Sequence, residues 1–213
     1  MRSPASLSVA LLVITGLLRQ PAAAQTPLRA KDLAPGVFLV ASRELRDSNF
    51  KASVVLLIHY DPSGAMGLII NRPLKLPLEE LLTELPEARG NNDPSYEGGP
   101  VSPESVLALL RSKAKLPRTE EVLGEVFLIS SERPIVEALK AGVQANRLRV
   151  FTGYAGWSAG QLDREVDLGA WHLFRADADT VFTPDAAAVW PKLIRRTEFR
   201  IANRPPMNTY ERR

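Results

Sequence analysis

Gly153-Tyr154-Ala155-Gly156-Trp157-Ser158-Ala159-Gly160-Gln161-Leu162 interleaves three glycines with two aromatic rings, then passes into an acidic helical pattern. Glycine lets one backbone approach another closely, and aromatic rings supply buried area, so the combination reads as a shaped backbone surface. It contains no histidine, cysteine, lysine or carboxylate to run ordinary chemistry. Residues 148–151 before it read as a strand, and residues 161–166 after it fit one or two helical turns. The stretch is therefore expected to be the hinge between sheet and helix, with Trp157 as its anchor and Gln161 as its polar contact.

Working outward, residues 37–40 and 53–60 are β-branched and apolar, and the second run is continuous enough for a central strand covered on both faces. Asp61-Pro62-Ser63-Gly64 is a turn signal, so residues 54–70 read as a hairpin. Residues 78–85 carry Leu78, Leu81, Leu82 and Leu85 on one helical stripe. Residues 106–110 fit a strand or a helix starting after Ser102-Pro103-Glu104, residues 123–129 one strand, and residues 134–141 a helix closed by Gly142. Residues 171–174 make a short strand. Residues 185–196 form a last helix that Pro191 should kink or split. Strands interspersed with short helices predict an α+β or mixed α/β domain at 33–199, preceded by an approach at 25–32 and followed by an irregular tail at 200–213.

The chain has 213 residues, no cysteine, two histidines and a formal charge of +3. Absence of thiols excludes disulfides, thiolate catalysis and cysteine-ligated metal centres. Residues 1–24 have the layout of a cleavable export signal: Arg2, an apolar run at 7–18, and Ala22 and Ala24 at the small-residue positions before the cut. That run is shorter than the about 20 residues of a membrane-spanning helix. Cleavage removes Arg2 and Arg19 and leaves a nearly neutral chain. The expected compartment is the periplasm or the exterior, with the cytoplasm as the alternative if translation starts downstream.

Five segments carry a resemblance to the bacterial YqgE/AlgH family, also called uncharacterised protein family 0301. They are Pro35-Gly36-Val37-Phe38-Leu39-Val40-Ala41, Gly64-Ala65-Met66-Gly67-Leu68-Ile69-Ile70-Asn71-Arg72-Pro73, Gly98-Gly99-Pro100-Val101, the stretch at 153–162, and Trp171. The resemblance implies a compact mixed sheet, partly closed like a barrel and flanked by helices. It marks Asn71, Arg72, Gly98, Gly99, Pro100, Gly156, Trp157, Gly160 and Gln161 as signature positions without assigning them chemistry. Members are usually cytoplasmic, and one branch is linked to alginate production as a regulator of transcription. This chain departs from the family in its leader and in carrying Ile58 where relatives place an acid before the histidine.

The catalytic inventory is poor. His59 and His172 stand alone, and neither lies in a nucleophile elbow or a metal-binding repeat. The glycine stretch lacks both the dinucleotide-binding spacing and the lysine of a phosphate loop. Asp177 and Asp179 read as a solvated turn, and no metal or cofactor is expected. Arg195, Arg196, Arg200, Arg204, Arg212 and Arg213 are the best basic cluster, but no nucleic-acid-binding motif accompanies them, so direct DNA binding is not expected. Arg72 could pair internally with Glu97 or form an anion pocket with Asn71, Gln161 and glycine amides, provided the signature loops meet at one end of the fold. The function expected is non-catalytic: an exported envelope protein holding a small anion or a protein through Asn71, Arg72, Gly98, Gly99, Trp157 and Gln161. A cytoplasmic regulator of the alginate-linked type and a hydrolase using His59 are the alternatives.

Overall fold

The computed structural model describes residues 28–202. The export signal expected at 1–24 lies outside the described residues, as do 203–213 of the expected tail. Within Val37–Ala41 (β1) and Val54–Asp61 (β2), alternate side chains serve different cores. Phe38, Val40, Leu56 and Ile58 enter one cluster, and Leu39, Ala41, Val55 and Leu57 another. Two-sided burial with a period of two explains the unbroken apolar run in β2. The chain turns at Asp61 and returns as Gly64–Ile69 (β3), antiparallel to β2, so the expected hairpin is present.

Pro73–Pro77 (β4) extends the strand pattern beyond the expected end at Pro73. The leucine stripe after it forms one helical turn, Leu78–Leu81 (α1), and a 3-10 turn at Pro86–Ala88, rather than the longer helix expected at 78–85. Leu82 leaves helical geometry at φ −108°, ψ 49°, yet Leu78, Leu82 and Leu85 are all buried. Pro94–Glu97 (β5) pairs with β4. Val101–Arg111 (β6) is one long strand, so no helix starts after Ser102. The single strand expected at 123–129 is a hairpin of Glu120–Leu123 (β7) and Val126–Ile129 (β8), reversed at Gly124, whose φ is +45°.

Glu132–Lys140 (α2) is closed by Gly142, as expected, with Gly142 N donating to Leu139 O at 2.9 Å. Leu148–Ser158 (β9) corrects the reading of the opening stretch: the strand expected to end at Phe151 continues through the glycines and aromatics to Ser158. Gln161–Asp167 (α3), Trp171–Arg175 (β10) and Ala178–Val181 (α4) follow. A 3-10 turn at Ala186–Ala188 leads into Val189–Ala202 (α5). Pro191 is the third residue of α5, where its missing N–H removes no intrahelical bond, so the split falls before it and no interior kink is required. The helix also takes in the first three residues of the tail expected to be irregular at 200–213.

The sheet has ten strands in the order β10-β1-β2-β3-β9-β6-β8-β7, with β4 and β5 attached beside β9. Val122 of β7 and Phe174 of β10, from opposite ends of that order, share one cluster with Leu56, Leu109 and Phe151. Strands that distant can share a core only if the sheet curls, which makes it a partly closed half-barrel. Val189, Leu193 and Ile194 of α5 pack into the same cluster. Leu162 of α3 covers a second cluster containing Trp157 and Trp171, and α2 covers a third. Among the described residues, no helix is long and apolar enough to cross a membrane.

Candidate functional site

On one side of β9, Phe151 and Thr152 pair with β5, and Ala155 to Ser158 pair with β3. The change of partner falls at Gly153, where φ is +65°. There the link between β5 and β6 crosses the strand: Gly98 N donates to Thr152 O at 2.8 Å, and Ile69 N to Gly98 O at 2.9 Å. A Cβ on Gly98 would lie 2.2 Å from Gly153 O, one on Gly99 2.3 Å from Tyr154 C, and one on Gly153 2.5 Å from Gly99 O. These glycines are required by the backbone crossing itself.

Trp157 is 6% exposed. Its ring stacks on Phe50 at 5.8 Å and meets Trp171 edge-on at 6.0 Å. Its Nε1 donates to Glu165 Oε2 at 3.0 Å, and Trp171 Nε1 donates to the same oxygen at 2.8 Å. Gln161 Nε2 donates to Glu165 Oε1 at 2.9 Å, while Gln161 Oε1 accepts from Ser158 N and Oγ, each at 3.1 Å. Trp157 is thus the anchor expected, while Gln161 turns its amide inward to hold the strand end and Glu165. The sequence reading missed Glu165. Its signal was its place one helical turn after Gln161 on α3.

Asn71 is also a strand clamp: Oδ1 accepts from Val54 N at 2.7 Å and Nδ2 donates to Ala52 O at 2.9 Å. Arg72 donates to Glu97 Oε1 at 3.3 Å and to Lys51 O at 3.2 Å, realising the internal pairing considered above. Asn71 and Arg72 follow one end of β3, whereas Ser158 and Gln161 adjoin its other end through the pair Gly64↔Ser158. Six extended residues span about 20 Å. The anion pocket joining Arg72 to Gln161 is therefore not assembled, because the loops assumed to meet are separated by the strand.

His59 Nε2 lies 3.0 Å from Asp61 Oδ2, and Ser63 Oγ donates to Asp61 Oδ1 at 2.5 Å. The carboxylate sits between serine and histidine, whereas general-base activation of a serine needs the imidazole beside the hydroxyl. The Ser63 hydroxyl and amide, followed by His59, hold the Asp61 carboxyl down at about 2. His172 is half-buried and its pKa is pushed down by burial. Asp177 caps α4 through Thr180 N at 2.7 Å, and Asp179 pairs with Arg111 at 2.8 Å. Among the described residues no cluster of three or more histidines and carboxylates is placed to hold a metal ion. In the basic cluster, Arg195 Nε donates to Pro191 O and the Arg196 guanidinium lies 5.3 Å over Phe174.

Arg149 is the second residue missed. It is 2% exposed, donates to Ile70 O at 3.1 Å and to Thr183 O, and lies 4.6 Å over the Tyr96 ring. Its Nε has no partner, and burial pushes the guanidinium pKa down. In sequence it is one basic position in a strand otherwise rich in apolar residues, which gives no sign that the charge faces inward.

The AlgH-like family model (DUF179) matches residues 38–202. The chain belongs to the YqgE/AlgH (UPF0301) family. A UPF0301 protein of Thermobifida fusca is 37% identical over 175 residues, covering 76% of this chain and 85% of its own. One from Chlorobium luteolum is 33% identical over 181 residues, covering 83% and 94%. The solution structure of the AlgH protein from Pseudomonas aeruginosa, 30% identical, matches with a TM-score of 0.62 over 86% of this chain and 98% of that one. A crystal structure from Corynebacterium diphtheriae, 23% identical, shares the fold with a TM-score of 0.65, covering 83% and 90%. In this YqgE/AlgH chain, the signature positions Gly98, Gly99, Trp157 and Gln161 hold strands and helix together, and Arg72 carries the signature's charge at the rim.

Proposed function

We propose that this YqgE/AlgH protein is an exported, non-catalytic binding component of the bacterial envelope, holding a partner protein or small anion at the rim around Arg72. The observation that carries the reading is the Arg72–Glu97 pair. Its contact is long, at 3.3 Å, and its side chains are 22% and 41% exposed, so a carboxylate or phosphate of a partner can compete for the guanidinium. The order serine, aspartate, histidine at 59–63 supports a binding role over a His59 hydrolase. The leader pattern at 1–24 supports the envelope.

Two measurements test this. Mass spectrometry of the endogenous protein from fractionated cells should find a mature N-terminus near Gln25 in the envelope fraction. Mature protein mixed with envelope extract should recover a reproducible partner that is lost with Arg72→Ala at unchanged melting temperature. A cytoplasmic protein starting near Leu33 would reject export and favour the second reading, a cytoplasmic regulator of the alginate-linked type. That reading draws on the resemblance to the alginate-linked branch of the family. Recovery unaffected by Arg72→Ala would reject the rim as the binding surface.

A further inference from the structure

Where the curled sheet brings β6 opposite the loop after α4, a cleft of about 830 Å³ opens. That volume lies within the range of small-molecule sites. Arg111, Lys113 and Arg147 line it together with Glu125 and Asp179, opposite Phe182, Thr183 and Pro184, so cations outnumber acids three to two. Arg111 is already held by Glu125 at 2.5 Å and Asp179 at 2.8 Å. Among the described residues, Lys113 and Arg147 have no carboxylate partner. Arg147 instead donates twice to the main-chain oxygen of Arg111, each at 3.2 Å, which fixes its guanidinium beside the end of β6.

A further positive charge lies behind the opposite wall. Arg149, two residues along from Arg147, reaches Thr183 O from the buried side. No carboxylate neutralises it among the described residues. A buried guanidinium without a counter-charge is costly, and an anion nearby lowers that cost. The neighbouring cleft, which shares Thr183 and Asp179, sets three acids, Asp177, Asp179 and Asp185, against Lys192 and Arg196, so its balance opposes an anion. The two clefts therefore differ in sign of preference across one loop.

We propose that the cleft between β6 and the α4–α5 loop binds a phosphorylated small molecule, with its phosphate between Lys113 and Arg147 and its body along Phe182 to Pro184. This site is separate from the Arg72 rim and does not depend on it. The test titrates the full chain with pyrophosphate at fixed ionic strength, followed by calorimetry and amide NMR. Saturable binding is expected, with shifts centred on Lys113, Arg147 and Thr183. The Lys113→Ala/Arg147→Ala double variant should bind about tenfold more weakly at unchanged melting temperature. Lys192→Ala, in the neighbouring cleft, should bind normally. If the double variant melts early, Arg147→Gln alone decides by the same readout. Absence of saturable binding at millimolar pyrophosphate, an affinity unchanged by the cleft variants, or an equal loss in Lys192→Ala would overturn the proposal.

Discussion

Trp157 on β9 donates its indole N–H to the carboxylate of Glu165 on α3 at 3.0 Å, tying the end of an eleven-residue inner strand to the helix that follows it. The same oxygen also receives Trp171 from β10. Glu165→Ala would leave two indole donors, on residues only 6% and 3% exposed, without their acceptor. An unmet buried donor costs about 1–3 kcal/mol, so chemical denaturation should show a loss of about 2–4 kcal/mol. Glu165→Gln keeps one acceptor oxygen and should lose about 1 kcal/mol. Equal losses in the two variants would mean that the carboxylate's charge, rather than its acceptor role, stabilises the cluster.

The glycine crossing makes an ordered prediction. In Gly99→Ala the new Cβ meets Tyr154 C at 2.3 Å and Ala155 N at 2.4 Å, all backbone that no rotamer change can clear. A loss above about 4 kcal/mol, or failure to fold, is expected. Gly124→Ala, also at positive φ but with nothing within 4 Å, should lose only about 1 kcal/mol. Thermal melts of the two variants check the order, and a fully stable Gly99→Ala protein would show that the crossing can open.

Alkaline pH should weaken the fold through Tyr60. Its hydroxyl donates to Asp163 Oδ1 at 2.7 Å; that bond first, then burial and the nearby negative charge, pushes the phenol up to about 12 from 10.0. Because the folded value is the higher one, the contribution is complete below pH 10 and is lost as pH rises through about 12. Denaturant midpoints should therefore fall more steeply over that window in the wild type than in Tyr60→Phe. Parallel curves would exclude Tyr60 as the cause.

Asp61 behaves in the opposite sense. Its folded value of about 2 lies below the ordinary 3.8, so its contribution is present above 3.8 and is lost as pH falls through about 2. The Ser63 hydroxyl is the largest cause, and His59 comes later. Carbon NMR titration should show Ser63→Ala raising the Asp61 value more than His59→Ala does. The reverse order would restore His59 as the group governing this carboxylate.

What the sequence made legible was local. The β2–β3 hairpin was readable because apolar run and turn chemistry agree there, and α2 because a proline start and a glycine stop bracket it. The continuation of β9 through Gly153 was hidden, since that glycine answers to Gly98 and Gly99, more than fifty positions earlier, and a local reading takes it for a turn. At the site, Trp157 stood out by its bulk among small residues. Glu165 and Arg149 do not stand out in the sequence, because the partners that define each arrive from other elements.

At Gly98, Gly99 and Gly153 a Cβ would meet main-chain atoms of the opposite segment, so a substitution there cannot be relieved by trimming a side chain. A descendant can exchange its compartment, its ligand or its surface charge with the motif intact, and the motif then records how the chain is threaded rather than the trade it plies.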